Sequence, residues 1–161
     1  MNIAIKNNFL EKDLINYLFN HFKQLPHYYG HKSDDKDKGN SFYSTNLNVQ
    51  DYLYNFLCCK IAKMFKYDIK ILRMYINIQH CFMDGEFHQD DGDSTVLLMI
   101  TPTLKSKSGC FEIKEYNKVL KTIPFIQNKL IIFPASWYHR GCAPVEKNIP
   151  RITLAFKTER I

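Results

Sequence analysis

The chain has 161 residues, a mass of 19.1 kDa and a hydrophobic fraction of 45%. These values suit one compact domain with its own core and exclude a long disordered or collagen-like protein. The formal net charge is +6, but the lysines behind it are scattered and form no basic stripe, so nucleic-acid binding is not favoured. No apolar run approaches the ~18 residues of a membrane-spanning helix, and the amino terminus lacks a signal-peptide layout. We therefore expect a cytoplasmic protein without a membrane segment.

Five cysteines are present, at positions 58, 59, 81, 110 and 142. They form an odd set without a Cys-x-x-Cys pair, which predicts free thiols in a reducing compartment and neither a disulfide framework nor a zinc knuckle. Cys81 and Cys142 fall near the motifs described below, and a buried small thiol is the expected role for each.

Two helices are predicted in the first part of the chain. Apolar side chains recur at helical spacing through residues 9–25, with Asn8 as the expected cap and Pro26 as the expected end. A second apolar stripe runs through residues 49–66, where Asn48 is placed to cap the helix. We interpret both stripes as faces that pack on the core.

A long loop is predicted between the helices, over residues 28–45. Its centre, Lys32–Lys38, is rich in charges of both signs. An aromatic pair flanks the centre on each side, Tyr28 with Tyr29 and Phe42 with Tyr43. Loops of this length are typically either functional or disordered. Two interpretations are open: a lid that orders over the substrate and excludes water, or an insertion without a role.

From residue 68 onward, short β-type runs separated by Gly, Pro, Asn and Asp replace the helical pattern. The predicted strands are 69–79, 95–101, 110–116, 118–123, 129–133 and 151–157. Helices followed by strands favour an α+β class, mainly β, in which two helices cover one sheet of a small β-sandwich or jelly roll. The predicted domain spans residues 1–161, with helical support at 9–66 and a β core at about 68–158.

The motif that carries most information is His88-x-Asp90. On an extended segment, residues two apart point to the same side, so an imidazole and a carboxylate can bind one cation. By itself this pair is better explained as a surface loop. His139 lies at the end of a stretch, 129–138, that we interpret as a strand delivering it to the same end of the barrel. Two histidines and one carboxylate on one face form the open ligand set of non-haem ferrous oxygenases.

Arg151 and Thr153 open the final strand and share one of its faces. An arginine in an otherwise apolar strand is costly to bury unless an anion pairs with it. A guanidinium beside a hydroxyl suits a carboxylate, which accepts two parallel charge-assisted hydrogen bonds. We therefore expect a bound organic acid. Trp137 and Tyr138, next to His139, are interpreted equally well as core or as substrate wall.

The order of these motifs resembles the Fe(II)/2-oxoglutarate-dependent oxygenase superfamily, above all its small prolyl-4-hydroxylase-like branch, which includes compact phage and marine microbial versions. The matching stretches are RMYIN at 73–77, EFHQD at 86–90, SGCFE at 108–112, HRGCAPV at 139–145 and PRITLAFK at 150–157. The resemblance implies a double-stranded β-helix core of the jelly-roll or cupin type.

The resemblance also implies the roles of individual residues. Iron(II) would be held by His88, Asp90 and His139. These three metal ligands would also be the catalytic residues. Arg151 would bind the far carboxylate of 2-oxoglutarate, with Thr153 beside it, and Tyr75 matches a tyrosine that commonly contacts this cosubstrate.

The implied reaction consumes O2 and 2-oxoglutarate, releases succinate and carbon dioxide, and hydroxylates a C–H bond. A prolyl or other residue of a peptide or protein is the leading substrate, stimulation by ascorbate is allowed, and a phage gene would place the protein in the host cytoplasm. Three alternatives stay open: a free amino acid or other small metabolite, a nucleobase, and a catalytically silent β-helix binding module. The sequence leaves the oligomeric state open.

Three positions depart from the relatives' patterns. The predicted strand 95–101 lacks the tyrosine with which many relatives bind the cosubstrate, and Ser108-Gly109 stands where a Gly-Gly pair is usual. Alkylation-repair dioxygenases carry a second arginine six residues after the anchor, where this chain has Lys157. The last difference weakens the nucleobase alternative.

Overall fold

A computed structural model describes residues 3–32, 40–47, 51–105, 107–115 and 118–161. These residues form ten strands and two helices. In chain order the elements are β1 (Ala4–Lys6), α1 (Lys12–Phe22), β2 (Tyr28–His31), β3 (Phe42–Asn46), α2 (Tyr52–Ala62), β4 (Ile69–Gln79), β5 (Ser94–Met99), β6 (Phe111–Glu115), β7 (Lys118–Ile123), β8 (Leu130–Pro134), β9 (Tyr138–Gly141) and β10 (Arg151–Arg160). Neither described helix is long and apolar enough to cross a membrane.

The strands form two antiparallel sheets. The large sheet has the order β1-β8-β5-β10-β4-β3-β2, and the small sheet has the order β7-β6-β9. After β5 the chain moves to the small sheet for β6 and β7, returns for β8, crosses again for β9 and returns for β10. This alternation between two facing sheets is the topology of a double-stranded β-helix, and it confirms the predicted mainly β class.

The central strand β10 separates two cores because its side chains alternate between the faces of the large sheet. Ile152, Leu154 and Phe156 belong to the core that the two helices cover. Ala155 belongs to the second core, which lies between the two sheets. Arg151, Thr153 and Lys157 share the face of Ala155, so the polar residues of β10 point into the space between the sheets.

Both predicted helices are present, but they are shorter than expected and begin at other residues. The expected cap of α1, Asn8, has a left-handed backbone with φ 52°, and Glu11 takes the cap position without a side-chain hydrogen bond. The chain is held there by Asn128, whose amide bonds the N–H and the C=O of Leu10 at 2.8 and 2.7 Å. The prediction failed because this tertiary contact replaces a local cap.

The second helix begins after Asp51, whose carboxylate accepts a hydrogen bond of 2.7 Å from the Leu53 N–H. The expected cap, Asn48, lies outside the described residues.

The carboxyl-terminal end of α1 also differs from the prediction. This helix ends at Phe22, four residues before Pro26, the expected end.

The flanks of the predicted loop are strands, and the prediction of a loop there was wrong. β2 pairs with β3, and β3 pairs in turn with β4 at the edge of the large sheet. The aromatic side chains explain the pairing, since Phe42 is buried and the rings of Tyr29 and Tyr43 lie 5.1 Å apart. Residues 33–39, which include all of the predicted loop centre except Lys32, lie outside the described residues, so the lid stays a prediction.

Candidate metal centre and its cavity

Three side chains from separate segments meet at one end of the space between the sheets. One ligand atom from each of His88, Asp90 and His139 lies within 4.8 Å of the other two. The backbones of His88 and His139 pair directly, with N–O distances of 3.1 and 2.9 Å. The predicted origin of His139 was wrong: β8 ends at Pro134, and His139 lies on β9, a separate strand of the small sheet.

Both imidazoles are oriented by backbone carbonyls. The Nδ1 atom of His88 lies 2.9 Å from the Glu86 carbonyl, and that of His139 lies 2.8 Å from the Trp137 carbonyl. A carbonyl only accepts, so each Nδ1 donates and each neutral ring keeps its lone pair on Nε2. Burial lowers the pKa of His139 although Asp90 is close by, which favours the neutral ring.

The two Nε2 atoms face the same carboxylate. His88 Nε2 lies 3.5 Å from Asp90 Oδ1, and His139 Nε2 lies 3.1 Å from Asp90 Oδ2. With both rings neutral, three acceptor atoms converge on one point, an arrangement that a divalent cation satisfies. Two imidazole nitrogens and one carboxylate oxygen are the donor set that ferrous iron takes in non-haem sites.

Asp90 has two further partners that the sequence interpretation did not include. Thr95 Oγ1 donates to Asp90 Oδ2 at 2.6 Å, and the buried ammonium of Lys157 contacts the same oxygen. Burial would raise the pKa of Asp90, but the charge of the Lys157 ammonium helps to hold it well below its usual range. The carboxylate is therefore ionised, and its Oδ1 is left free of Lys157 and Thr95.

Arg151 lies deeper in the same space and is only 2% exposed. Its Nε donates to the Gly109 carbonyl at 2.8 Å, and one terminal nitrogen donates to Gln79 Oε1 at 2.6 Å. Within the described ranges, no carboxylate forms an ion pair with it. Burial lowers the pKa of Arg151 to about 10, which shows how poorly this charge is compensated by the protein alone.

Glycine allows the guanidinium to lie flat against β9. A Cβ atom added to Gly141 would lie 2.8 Å from Arg151 Cζ, a distance that real contacts do not reach. The Arg151 Cζ atom also lies 5.4 Å from the centre of the Phe125 ring. The arginine is thus clamped in one orientation before any ligand binds.

Two buried polar atoms beside Arg151 have no hydrogen-bond partner among the described residues: Thr153 Oγ1 and Asn77 Oδ1. The two residues are direct neighbours across β10 and β4. Buried polar groups are almost always paired, so these atoms indicate a polar ligand. Thr153 was predicted, whereas Asn77 was not.

The sequence did contain a signal for the missed residues. In β4, Tyr75, Asn77 and Gln79 alternate with Met74, Ile76 and Ile78. The first set lines the cavity and the second set packs under the helices. Read with period two, β4 predicts a polar face that continues the face of Arg151 and Thr153.

All six predicted site residues line one cavity of about 1130 Å³: Tyr75, His88, Asp90, His139, Arg151 and Thr153. Tyr75 lies close to Lys157, whose ammonium is 5.5 Å from the ring centre. Burial, followed by the charge of Asp90, raises the pKa of Tyr75. Trp137 and Tyr138 have different surroundings: Trp137 packs against the core between the sheets, and Tyr138, 46% exposed, lines the cavity.

Neither the protein-family models nor the curated proteins contain a match to this chain. Solved structures do match over almost its whole length. A 2-oxoglutarate–Fe(II) oxygenase family oxidoreductase from Burkholderia pseudomallei superposes with a TM-score of 0.76 at 12% identity, over 99% of this chain and 85% of its own.

Two prolyl hydroxylases superpose to a similar extent. The enzyme from Trichoplax adhaerens, solved with a peptide of hypoxia-inducible factor, has a TM-score of 0.76 at 16% identity and covers 98% of this chain and 83% of its own. The viral collagen prolyl hydroxylase of Paramecium bursaria Chlorella virus-1 has a TM-score of 0.73 at 12% identity and covers 100% and 97%. These likenesses confirm the double-stranded β-helix fold that the family resemblance implied.

Proposed function

We propose that this chain is a dioxygenase that depends on Fe(II) and 2-oxoglutarate and hydroxylates a C–H bond, with a prolyl or other residue of a peptide as its substrate. One observation carries the proposal. A single cavity contains a converging His88–Asp90–His139 ligand set and a buried Arg151 without a carboxylate partner in the described part of the chain. A metal with open coordination positions and a guanidinium without an anionic partner together suit a dicarboxylic acid that chelates the metal at one end and binds Arg151 at the other.

The residues present fit both groups. His88, Asp90 and His139 would hold the iron, because their three donor atoms converge and leave the cavity side open. Arg151 would bind the far carboxylate of 2-oxoglutarate by charge-assisted hydrogen bonds. Thr153 Oγ1 and Asn77 Oδ1, both without partners, lie beside that position, and the Thr153 hydroxyl would donate to the same carboxylate.

When bound, iron and 2-oxoglutarate supply the oxidation, in which one oxygen atom of O2 enters succinate and the other enters the substrate C–H bond. The protein's part is to hold the participants in place. The two carbonyl contacts and the Thr95 and Lys157 contacts fix the three ligand side chains before the metal arrives. Buried apolar side chains, among them Leu97 and Phe133, form the cavity wall and keep water from the reacting atoms.

Space and surface chemistry support a peptide as the substrate. The cavity is larger than 2-oxoglutarate requires, and its rim carries exposed aromatic rings from β2 and β9: Tyr28, Tyr29 and Tyr138. Flat rings of this kind pack well against prolyl and other side chains. The likeness to the Trichoplax hydroxylase, which holds a peptide, points in the same direction.

One observation favours a second candidate, the catalytically silent binding module. The ammonium of Lys157 already contacts Asp90, so a protein cation could replace the metal charge permanently. In that case Asp90 and Lys157 would be a structural ion pair, and Arg151 would bind an organic acid without chemistry.

Metal binding and succinate release separate the two candidates. We expect the purified chain to bind about one Mn²⁺ by calorimetry and to release succinate from 2-oxoglutarate only with Fe(II) and O2. His139→Ala should abolish both signals, while His21→Ala, a histidine on α1 outside the cavity, should leave both intact. Proline-containing peptides that accelerate succinate release and gain one oxygen by mass spectrometry would identify the substrate class. A chain that binds 2-oxoglutarate but no divalent metal would refute the oxygenase proposal in favour of the module.

A further inference from the structure

A second cluster of reactive side chains lies outside the cavity, on the small sheet. Phe111 pairs with Gly141, so Cys110, just before β6, and Cys142, just after β9, lie opposite each other, and their sulfurs are within 4.8 Å. The Cys142 N–H donates to the Cys110 carbonyl at 2.9 Å. Facing residues of an antiparallel pair have Cα atoms roughly 5.5 Å apart, within the range that a disulfide bridges. Cys110 and Cys142 are called the thiol pair below.

The third member of this cluster is Glu112, whose carboxylate lies within 4.8 Å of both sulfurs. Three such groups can hold a metal, but Glu112 is already engaged, because Arg140 Nε donates to its Oε2 at 2.8 Å. The ligand set for a metal would therefore be two sulfurs and a carboxylate whose charge Arg140 already neutralises, which disfavours metal binding. The geometry points to chemistry between the two sulfurs instead.

The surroundings favour the thiolate form of Cys110 over that of Cys142. A hydrogen bond from Cys142, and then the charges of Arg151 and Arg140, lower the pKa of Cys110, while the shared hydrogen bond and burial raise that of Cys142. Thiolate is the form that reacts with peroxides. Cys110 is 4% exposed and lies next to the half-buried Cys142, so a small oxidant suits this place better than a protein partner does.

The thiol pair is also coupled to the cavity through the backbone. Gly109, which precedes Cys110, accepts the hydrogen bond from Arg151 Nε. Gly141, which precedes Cys142, lies flat against the Arg151 guanidinium. Gly109 and Gly141, two of the residues that hold Arg151, are therefore the direct chain neighbours of the two cysteines, and we expect a bond between the sulfurs to disturb both of these contacts.

We propose that Cys110 and Cys142 are a redox pair that hydrogen peroxide converts to a reversible disulfide, and that this bond weakens the binding of 2-oxoglutarate at Arg151. The claimed effect on 2-oxoglutarate binding rests on the proposed function. In the chemistry, the Cys110 thiolate attacks one oxygen of peroxide, the O–O bond breaks and hydroxide leaves, giving a sulfenic acid. The Cys142 thiol then attacks that sulfur, the S–S bond forms and water leaves.

The test treats the full chain with limiting hydrogen peroxide and maps its disulfides by mass spectrometry of non-reduced peptides. We expect a Cys110–Cys142 bridge, with free thiols falling from five to three, and full reversal by dithiothreitol. The dissociation constant of 2-oxoglutarate, measured by calorimetry with Mn²⁺, should rise at least about fivefold in the oxidised protein, the low end of coupling between two sites.

Variants separate the proposal from general oxidation. Cys142→Ser should abolish the bridge and make 2-oxoglutarate binding insensitive to peroxide, while Cys59→Ser, which removes an exposed thiol on α2, should change neither result. The proposal is overturned if peroxide oxidises other cysteines and leaves the thiol pair free, or if the bridge forms without a change in affinity. Reduced protein that does not bind 2-oxoglutarate would instead refute the proposed function, and disulfide mapping would still decide whether the pair reacts.

Discussion

Replacing Arg151 with methionine should remove most of the affinity for 2-oxoglutarate and leave the metal site in place. Arg151 is 2% exposed, and in the described part of the chain its polar contacts are to the neutral groups of Gly109 and Gln79. Its charge is therefore available to a ligand carboxylate in a desolvated setting. A hydrogen bond to a charged group contributes about 1.5–3 kcal/mol. At about 1.4 kcal/mol per factor of ten, the dissociation constant should rise roughly 10- to 150-fold.

The same substitution should have little effect on the unliganded protein. Methionine fills the space of the arginine stem, and it removes a charge that is expensive to bury without an anion. It also removes the two hydrogen bonds of Arg151, and this loss opposes the stability gained by removing the buried charge. We expect the free energy of unfolding without 2-oxoglutarate to change by less than about 1.5 kcal/mol, since the loss of two neutral partners and the relief of desolvation are of similar size.

The assay is calorimetric titration of 2-oxoglutarate into the Mn²⁺-loaded protein, with chemical denaturation as the stability measurement. Arg160→Met is the matched control, because Arg160 lies at the exposed end of the same strand and stacks on Tyr67 at 4.7 Å. It should leave the dissociation constant unchanged. An Arg151→Met protein that binds 2-oxoglutarate within twofold of the parent would refute the assignment, as would an equal loss in Arg160→Met.

Three further outcomes follow from the contacts around Asp90 and Thr153. Asp90→Ala should abolish Mn²⁺ binding in calorimetry, whereas Asp91→Ala, at an exposed neighbour paired with Arg73, should not; equal behaviour of the two variants would contradict the ligand set. Lys157→Met leaves the Asp90 carboxylate buried without a cationic partner, so metal-free protein should lose about 3–5 kcal/mol of unfolding free energy. Saturating Mn²⁺ should recover most of this loss in urea denaturation, and an unchanged stability would count against the ion pair. Thr153→Val should leave unliganded stability nearly unchanged, since its hydroxyl has no partner, but should weaken 2-oxoglutarate binding about 2- to 12-fold in the same titration; tighter or equal binding would contradict it.

The parts of the fold that repeat a pattern over many residues were predictable from the sequence. β4 occupies residues 69–79 as predicted, and β10 begins at Arg151 as predicted, because both strands show long runs of apolar and β-branched residues. Four short strands, β1, β2, β3 and β9, were not predicted. Each pairs with a strand that lies far away in the chain or across a loop, so the local sequence pattern does not reveal them.

The candidate site shows the same division. The spacing of His88 and Asp90 and the position of Arg151 in an apolar strand are local features, and they led to a ligand set that the structure brings together in one cavity. The role of Lys157 was not accessible in this way. The alternation of residues along β10 predicts only that Lys157 faces inward. Its contact with Asp90 joins residues 67 positions apart, and no local sequence feature predicts such a contact.

The strict alternation along β10 has a consequence for how this protein can change. Its odd-numbered positions from 151 to 157 supply the cavity, and its even-numbered positions supply the core beneath the helices. Substitutions at positions 151 and 153 can therefore alter the ligand chosen at little cost to folding, and substitutions at the even positions can alter stability at little cost to the ligand. Insertion of one residue would exchange the two sets and place Arg151 or Lys157 under the helices. A library built for new specificity should randomise alternate codons of this strand and keep its length fixed.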